Sequence, residues 1–153
     1  MDNEAANMQM ERKRVAALLA RATVQELETV WSRQDASPQT ENVRGPETGL
    51  VMVKGRIGGG GAPFNLGETT VTRATVKLAS GTVGHAHVLG TGRKKAWYAA
   101  VFDALWQENR TRDFIESELL SPVEKRLRDE KARKTKETAA TRVDFFTMAR
   151  GED

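Results

Sequence analysis

The residues best suited to handle a charged ligand fall in two glycine-bearing stretches. The first is Gly58, Gly59, Gly60 and Gly61, continued by Ala62-Pro63-Phe64-Asn65-Leu66-Gly67. Four glycines reach backbone conformations that other residues avoid, and exposed amides in such a loop can cradle an anion. A Walker loop would continue with lysine and a hydroxyl residue, whereas Ala62 and Pro63 stand here. The same run reads more readily as a long hairpin loop whose glycines permit close packing against another chain. The second stretch is Gly90-Thr91-Gly92-Arg93-Lys94-Lys95, three cations where a helix is expected to begin. Helix N-termini favour anions through their free amides and dipole. A dinucleotide fingerprint would need glycine at the position of Lys95, so that motif fails. Arg56 and Arg73 add two forked donors on predicted strands. Together, Arg56, the four glycines, Arg73, Arg93, Lys94 and Lys95 form the candidate phosphate contacts.

Nucleophilic and metal chemistry find less support. His85 and His87, the two histidines, lie two apart on a predicted strand and share a face with Val83 and Leu89. That arrangement reads as half-buried packing rather than a metal site, since no third ligand stands nearby. There is no G-x-S-x-G elbow and no cysteine. No catalytic residue is assigned to this chain.

The elements that must position these residues fall into three zones. Residues 1–35 read as helix, with Val15, Leu18, Leu19 and Ala22 at helical spacing and Leu27, Val30 and Trp31 continuing the apolar face. Thr23-Val24-Gln25-Glu26 has capping-box spacing, which predicts two helices meeting near Thr23. Residues 40–90 read as an antiparallel sheet of about four strands: a short lead-in over 41–44 turning at Gly45-Pro46, then 50–57, 69–79 and 82–89. Thr70, Thr72, Ala74, Val76 and Leu78 share one face, and Ser80-Gly81 is the tight turn. Residues 93–148 return to helix. The segment 94–107 is apolar nearly all round, with Asp103 the one charge inside its apolar run. A small sheet covers one side of such a helix, so Trp97, Val101 and Leu105 are candidate contacts with other helices or with a partner. Ser121-Pro122-Val123-Glu124 predicts a fresh helix start. The helix after it is poor in apolar residues and is read as an arm. Phe145, Phe146 and Met148 make an apolar patch beyond it, a candidate docking tail. The fold class is α+β in a single domain over 1–153.

Composition narrows the setting. The chain has 153 residues and a net charge of +3. Residues 124–137 hold seven basic and four acidic side chains, the whole excess of the chain, as on a solvated mixed-charge helix. Aromatic and basic residues are not interleaved as in single-strand binders, so no nucleic-acid partner is expected. The longest uninterrupted apolar run, 96–102, is far short of the roughly 20 residues of a membrane span. A soluble, cytoplasmic protein without membrane contact follows as the expectation.

Several motifs in order carry a resemblance: Glu47-Thr48-Gly49-Leu50-Val51, the run from Arg56 to Glu68, Thr70-Val71-Thr72-Arg73, Gly84-His85-Ala86-His87-Val88-Leu89-Gly90, Phe102-Asp103-Ala104-Leu105, and Arg142 to Gly151. In these the chain resembles the PhnG family, the small core subunit of the carbon–phosphorus lyase (alpha-D-ribose 1-methylphosphonate 5-triphosphate synthase) complex. It departs from the family pattern at Gly90-Thr91-Gly92, where Gly-Arg-Asp is usual, and at Trp97, where glutamate is expected. The resemblance implies a non-catalytic or activating subunit that works with H, I and J core subunits. The complex displaces adenine from MgATP with an alkylphosphonate, so MgATP is its substrate and no cofactor is implied in this chain.

Overall fold

A computed structural model describes residues 2–34 and 37–140. They divide into two compact units, one ending at Val123 and one beginning at Glu124. The tail candidates Phe145, Phe146 and Met148 lie outside the described residues.

In the first unit, helix α1 (Asp2–Arg21) and helix α2 (Val24–Ser32) meet at Thr23 as the capping box predicts. The Glu26 amide donates to Thr23 Oγ1 at 3.1 Å, and the Thr23 amide donates to Glu26 Oε2 at 2.7 Å. Both bonds satisfy N–H groups that a helix start leaves without partners. Removing the Thr23 hydroxyl (Thr23→Ala) is expected to lower stability by about 1 kcal/mol in urea denaturation. An unchanged midpoint would show that the cap contributes nothing.

Three strands form one antiparallel sheet in the order β1-β2-β3: β1 (Thr40–Gly55), β2 (Phe64–Leu78) and β3 (Val83–Leu89). About four strands are expected from the sequence because Gly45-Pro46 has the composition of a turn. The chain instead runs straight on, and the register slips between Arg44 and Glu47. Pro46 cannot donate to a ladder, and an irregular stretch of an edge strand is where its missing N–H costs least. The expected alternation of β2 holds: Thr72, Ala74, Val76 and Leu78 are buried. On β3, Gly84, Ala86 and Val88 face inward and His85 and His87 face solvent, which corrects the half-buried reading. The inward face is small rather than greasy, and that allows a helix to sit close.

That helix is α3 (Arg93–Gln107), buried from Ala99 through Trp106. It packs on β2 and β3 and also against α1, α2 and α4 (Asn109–Ile115). Val101 and Leu105 are therefore taken up by the chain's own core, at 0% and 3% exposure, and leave nothing for a partner. Trp97 stacks edge-on against Trp31 with ring centroids 5.5 Å apart, and its indole N–H donates to Asn42 at 3.0 Å. This edge geometry suits the aromatic quadrupole.

Ser121 opens α5 (Ser121–Ala140) as its position predicts, but not as an N-cap after a break. It lies in helical conformation at the end of a π turn, Glu116–Leu120, that continues α4 into α5. Its amide bonds to the Glu116 carbonyl, five residues back. Pro122 would clash with the carbonyl four residues before it in a regular helix, and the wider turn falls where that clash would arise.

In the second unit, α5 carries its own ladder of charges. Arg126 pairs with Glu130 at 2.9 Å and Arg133 with Glu137 at 3.8 Å, both four residues apart. Pairs of this kind contribute about 0.3–0.5 kcal/mol each. Residues 131–140 are exposed throughout, as a solvated mixed-charge face requires.

Candidate functional site

The glycine run forms the tip of the β1–β2 hairpin. Ile57–Gly59 make one 3₁₀ turn, with Gly58 and Gly59 at φ of +64° and +75°. Both angles are ones that a side chain disfavours. The Gly61 amide closes the turn on the Ile57 carbonyl at 3.2 Å. The hairpin-loop reading of this run therefore describes its geometry.

The basic turn sits at the N-terminus of α3, as predicted. Gly92 occupies the cap position without a side-chain hydrogen bond. The turn is anchored from below by Thr72, whose hydroxyl donates to the Gly90 carbonyl at 2.6 Å and shares a bond with Thr48 at 3.0 Å. Lys94 is ion-paired with Glu28 of α2, and this bond holds its pKa above the ordinary lysine value. Arg93 is exposed.

Arg56 and Arg73 do not converge. Arg73 lies opposite Glu47 in the ladder, and Arg56 lies nine residues beyond Glu47, just past the end of β1, roughly 30 Å at 3.3 Å per residue. Arg73 is moreover engaged by Glu47 at 3.2 Å. Its other cross-strand neighbour is His87. Glu47, Arg73 and His87 border a depression of about 480 Å³ shared with Leu50, Val51 and Val71. The nine candidate phosphate contacts are thus spread over a hairpin tip, a mid-sheet ion pair and a helix start.

A polar cluster that the sequence reading did not assemble lies elsewhere. Asp103 of α3, 1% exposed, accepts from Arg12 Nη2 at 2.8 Å and from the His85 backbone N–H at 2.8 Å. Arg12 Nε adds a longer bond at 3.3 Å. The Asp103 hydrogen bond holds the Arg12 pKa above its ordinary value. Gln107 donates to the Val83 carbonyl at 2.9 Å. Side chains thereby satisfy groups along the outer edge of β3, which would otherwise invite another strand. The signal was present in the sequence, since Asp103 is the charge inside an apolar helix and must find a partner when buried. A cavity of about 330 Å³ adjoins the cluster, with His85 and His87 at its rim.

Among the described residues, none of these groups sets a nucleophile beside an oriented base. Thr75 Oγ1 lies 3.1 Å from His85 Nδ1 on the open face of the sheet, with no carboxylate hydrogen-bonded to that ring. Ser80 and Thr82 both bond to Glu108, which fastens the β2–β3 turn to the end of α3. Thr111 and Arg112 cap the α3 carbonyls of Leu105 and Trp106. These contacts hold elements together. Among the described residues, no helix is long and apolar enough to cross a membrane.

Comparison with known proteins agrees with the motif pattern. The family model described as "Phosphonate metabolism protein PhnG" matches residues 10–151. A protein of Rhizobium meliloti (strain 1021), named "Alpha-D-ribose 1-methylphosphonate 5-triphosphate synthase subunit PhnG", is 57% identical over 143 residues, covering 94% of this chain and 91% of that protein. With nearly the whole chain matched by the family model, the chain belongs to the PhnG family of phosphonate metabolism proteins.

Proposed function

We propose that this chain is a non-catalytic or activating subunit of an alpha-D-ribose 1-methylphosphonate 5-triphosphate synthase. On this reading it assembles with H, I and J core subunits while the complex displaces adenine from MgATP with an alkylphosphonate. The observation that carries it is the 57% identity, over 94% of the chain, to a subunit bearing that name. The geometry supports a non-catalytic role. The side chains that could meet a triphosphate are dispersed, and Arg73 and Lys94 already have carboxylate partners.

A second reading has the chain contribute triphosphate or phosphonate contacts through the basic turn and the glycine loop. Exposed Arg93 beside a helix start without a side-chain cap favours it. One set of experiments separates the two. The chain is co-expressed with the other core subunits, the complex is purified through a tag on the I subunit, and turnover of MgATP with methylphosphonate is measured. The assembly reading expects co-purification and a loss of turnover when the chain is omitted. It also expects turnover within twofold of normal when Arg93, Lys94 and Lys95 are all changed to alanine. Failure of the chain to co-purify would remove the assembly reading. A tenfold or larger loss in an intact triple-alanine complex would establish the second.

A further inference from the structure

Among the described residues, no helix or third strand covers the far half of the β1–β2 hairpin. Pairing between β2 and β3 ends at Val71 opposite Leu89, with one further bond from the Gly90 amide to the Thr70 carbonyl. Beyond that point, residues 50–55 and 64–69 continue as a two-stranded ribbon. Apolar side chains stand on both faces, interrupted by the exposed Lys54, Asn65 and Glu68. Leu50 and Met52, 67% and 50% exposed, continue the face that carries Thr48 and buried Thr72. Val51 and Val53, 48% and 37% exposed, point the other way. Phe64 and Leu66 on β2 and Ile57 at the tip are exposed as well.

A ribbon of two strands is marginal in water without a third strand or a packed face. These seven side chains are more than half exposed on average. They present roughly 600–700 Å² of apolar surface, against about 800 Å² per side for a standard interface and a few hundred for the usual patch on a monomer. Two exposed faces also restrict what can cover them. A two-fold pairing of ribbons face to face would hide one face of each, and pairing along an edge would hide neither. One depression, of about 480 Å³, is lined by Leu50 and Val51 of the ribbon itself beside Glu47, Arg73 and His87, and two smaller polar-rimmed clefts of the body offer no receptor for a second copy's ribbon. The smaller two hold about 320–330 Å³ each and are rimmed by Arg12, Asp103 and His87 or by Ser80, Glu108 and Arg110.

We infer that the ribbon is an insertion arm that enters an apolar cleft of another subunit of the synthase and is held there on both faces. The inference rests on the proposed subunit role. The charges near the tip define the deep end of that cleft. Lys54 and Arg56 are exposed and have no ion-pair partner among the described residues, so carboxylates must meet them. The free edges of residues 50–55 and 64–69 add unpaired backbone groups that a partner strand can join.

The test uses the full chain co-expressed with the other core subunits. Two variants keep strand-compatible residues while removing apolar surface from one face each: Leu50→Thr with Met52→Thr, and Val51→Thr with Val53→Thr. Both are expected to melt within a few degrees of the parent by tryptophan fluorescence, and both should recover at least tenfold less partner. Hydrogen exchange gives a readout without substitution: ribbon amides should exchange at least tenfold more slowly in the complex than in the isolated chain. Parent-like recovery by both variants, or unchanged exchange, overturns the inference and leaves the subunit role standing. An isolated chain that sediments as a dimer through the ribbon overturns it in favour of a second copy. A parent chain that recovers no partner overturns both readings together.

Discussion

Replacing Gly84 with alanine is expected to destabilise the body of the protein by about 3 kcal/mol or more, lowering its melting temperature by roughly 10 °C. Gly84 lies on the inward face of β3, directly under α3. A methyl group there would overlap the Ala100 carbonyl oxygen and come within 2.5 Å of the Ala104 nitrogen and 2.8 Å of Ala104 Cβ. Two of those three atoms are helix backbone, which cannot rotate away as a side chain can. The helix must lift from the sheet, and a helix buried from Ala99 to Trp106 on several sides has nowhere to go. The change Ala104→Gly should therefore fail to rescue Gly84→Ala, because it removes the least severe of the overlaps. Gly49→Ala is the control. It is an exposed strand position with open space around it and no positive φ, so its midpoint should stay within about 0.5 kcal/mol. Urea denaturation followed by the fluorescence of Trp31, Trp97 and Trp106 reports the body in each case. Equal midpoints for Gly84→Ala and Gly49→Ala would disprove the close-approach account.

That same small face explains what the sequence disclosed and what it hid. Alternation is a local property, so the strand positions of β2 and β3 could be read directly. Which side of β3 faces inward is misjudged when Val83 and Leu89 are weighed alone, since His85 and His87 share their face while Val88 stands with Gly84 and Ala86 on the other. The inward face is instead selected by how closely α3 must approach. The capping box at Thr23 was legible because both of its hydrogen bonds lie within four residues. The Ser121-Pro122 pattern misled about the cap for the complementary reason. Its spacing suits a helix start, but a helix already arriving through α4 makes the cap unnecessary. The covering segment left a trace in Ile115 at the end of α4, Leu119 and Leu120 of the π turn and Val123 of α5, all buried, and with it α3 is covered without a partner. Val101 and Leu105 seemed to need another chain only while that covering segment was uncounted. The surface that does lack a cover, Leu50 to Val53 with Phe64 and Leu66, reads in sequence as ordinary strand. Its exposure follows from β3 ending at Leu89, and strand length on the neighbouring chain segment is not written in the ribbon's own residues. The dispersal of Arg56, Arg73 and Arg93 is likewise a matter of register.

The buried ion pair leads to the second large effect, and its two halves should not behave alike. Asp103 is nearly inaccessible, whereas the side chain of Arg12 is 39% exposed. Removing Arg12 (Arg12→Ala) leaves a buried carboxylate with one remaining donor, the His85 amide at 2.8 Å. Breaking a fully buried pair costs about 3–5 kcal/mol. Here the vacated guanidinium site opens toward solvent and admits water, so about 2–3 kcal/mol is expected. Asp103→Ala frees Arg12 to turn outward but strands the His85 N–H inside, at about 1–3 kcal/mol for the unmet donor alone. Asp103→Asn keeps an acceptor for that amide and loses the charge, and it should be the mildest of the three. Replacing both partners by apolar residues of similar size (Arg12→Met with Asp103→Leu) should cost clearly less than the two single changes added together, because neither residue is then left buried and unsatisfied. The exposed pair Arg73–Glu47, with side chains 51% and 54% accessible, supplies the comparison. Its removal should move the midpoint by no more than about 0.5–1 kcal/mol and less still in high salt. A double-mutant cycle on each pair decides the matter. Coupling below about 0.5 kcal/mol between Arg12 and Asp103 would mean that α1, α3 and the edge of β3 are held by apolar packing alone. Coupling well above that value makes this carboxylate the polar tie among three elements. It would also explain why an aspartate persists in the middle of a helix that is otherwise apolar.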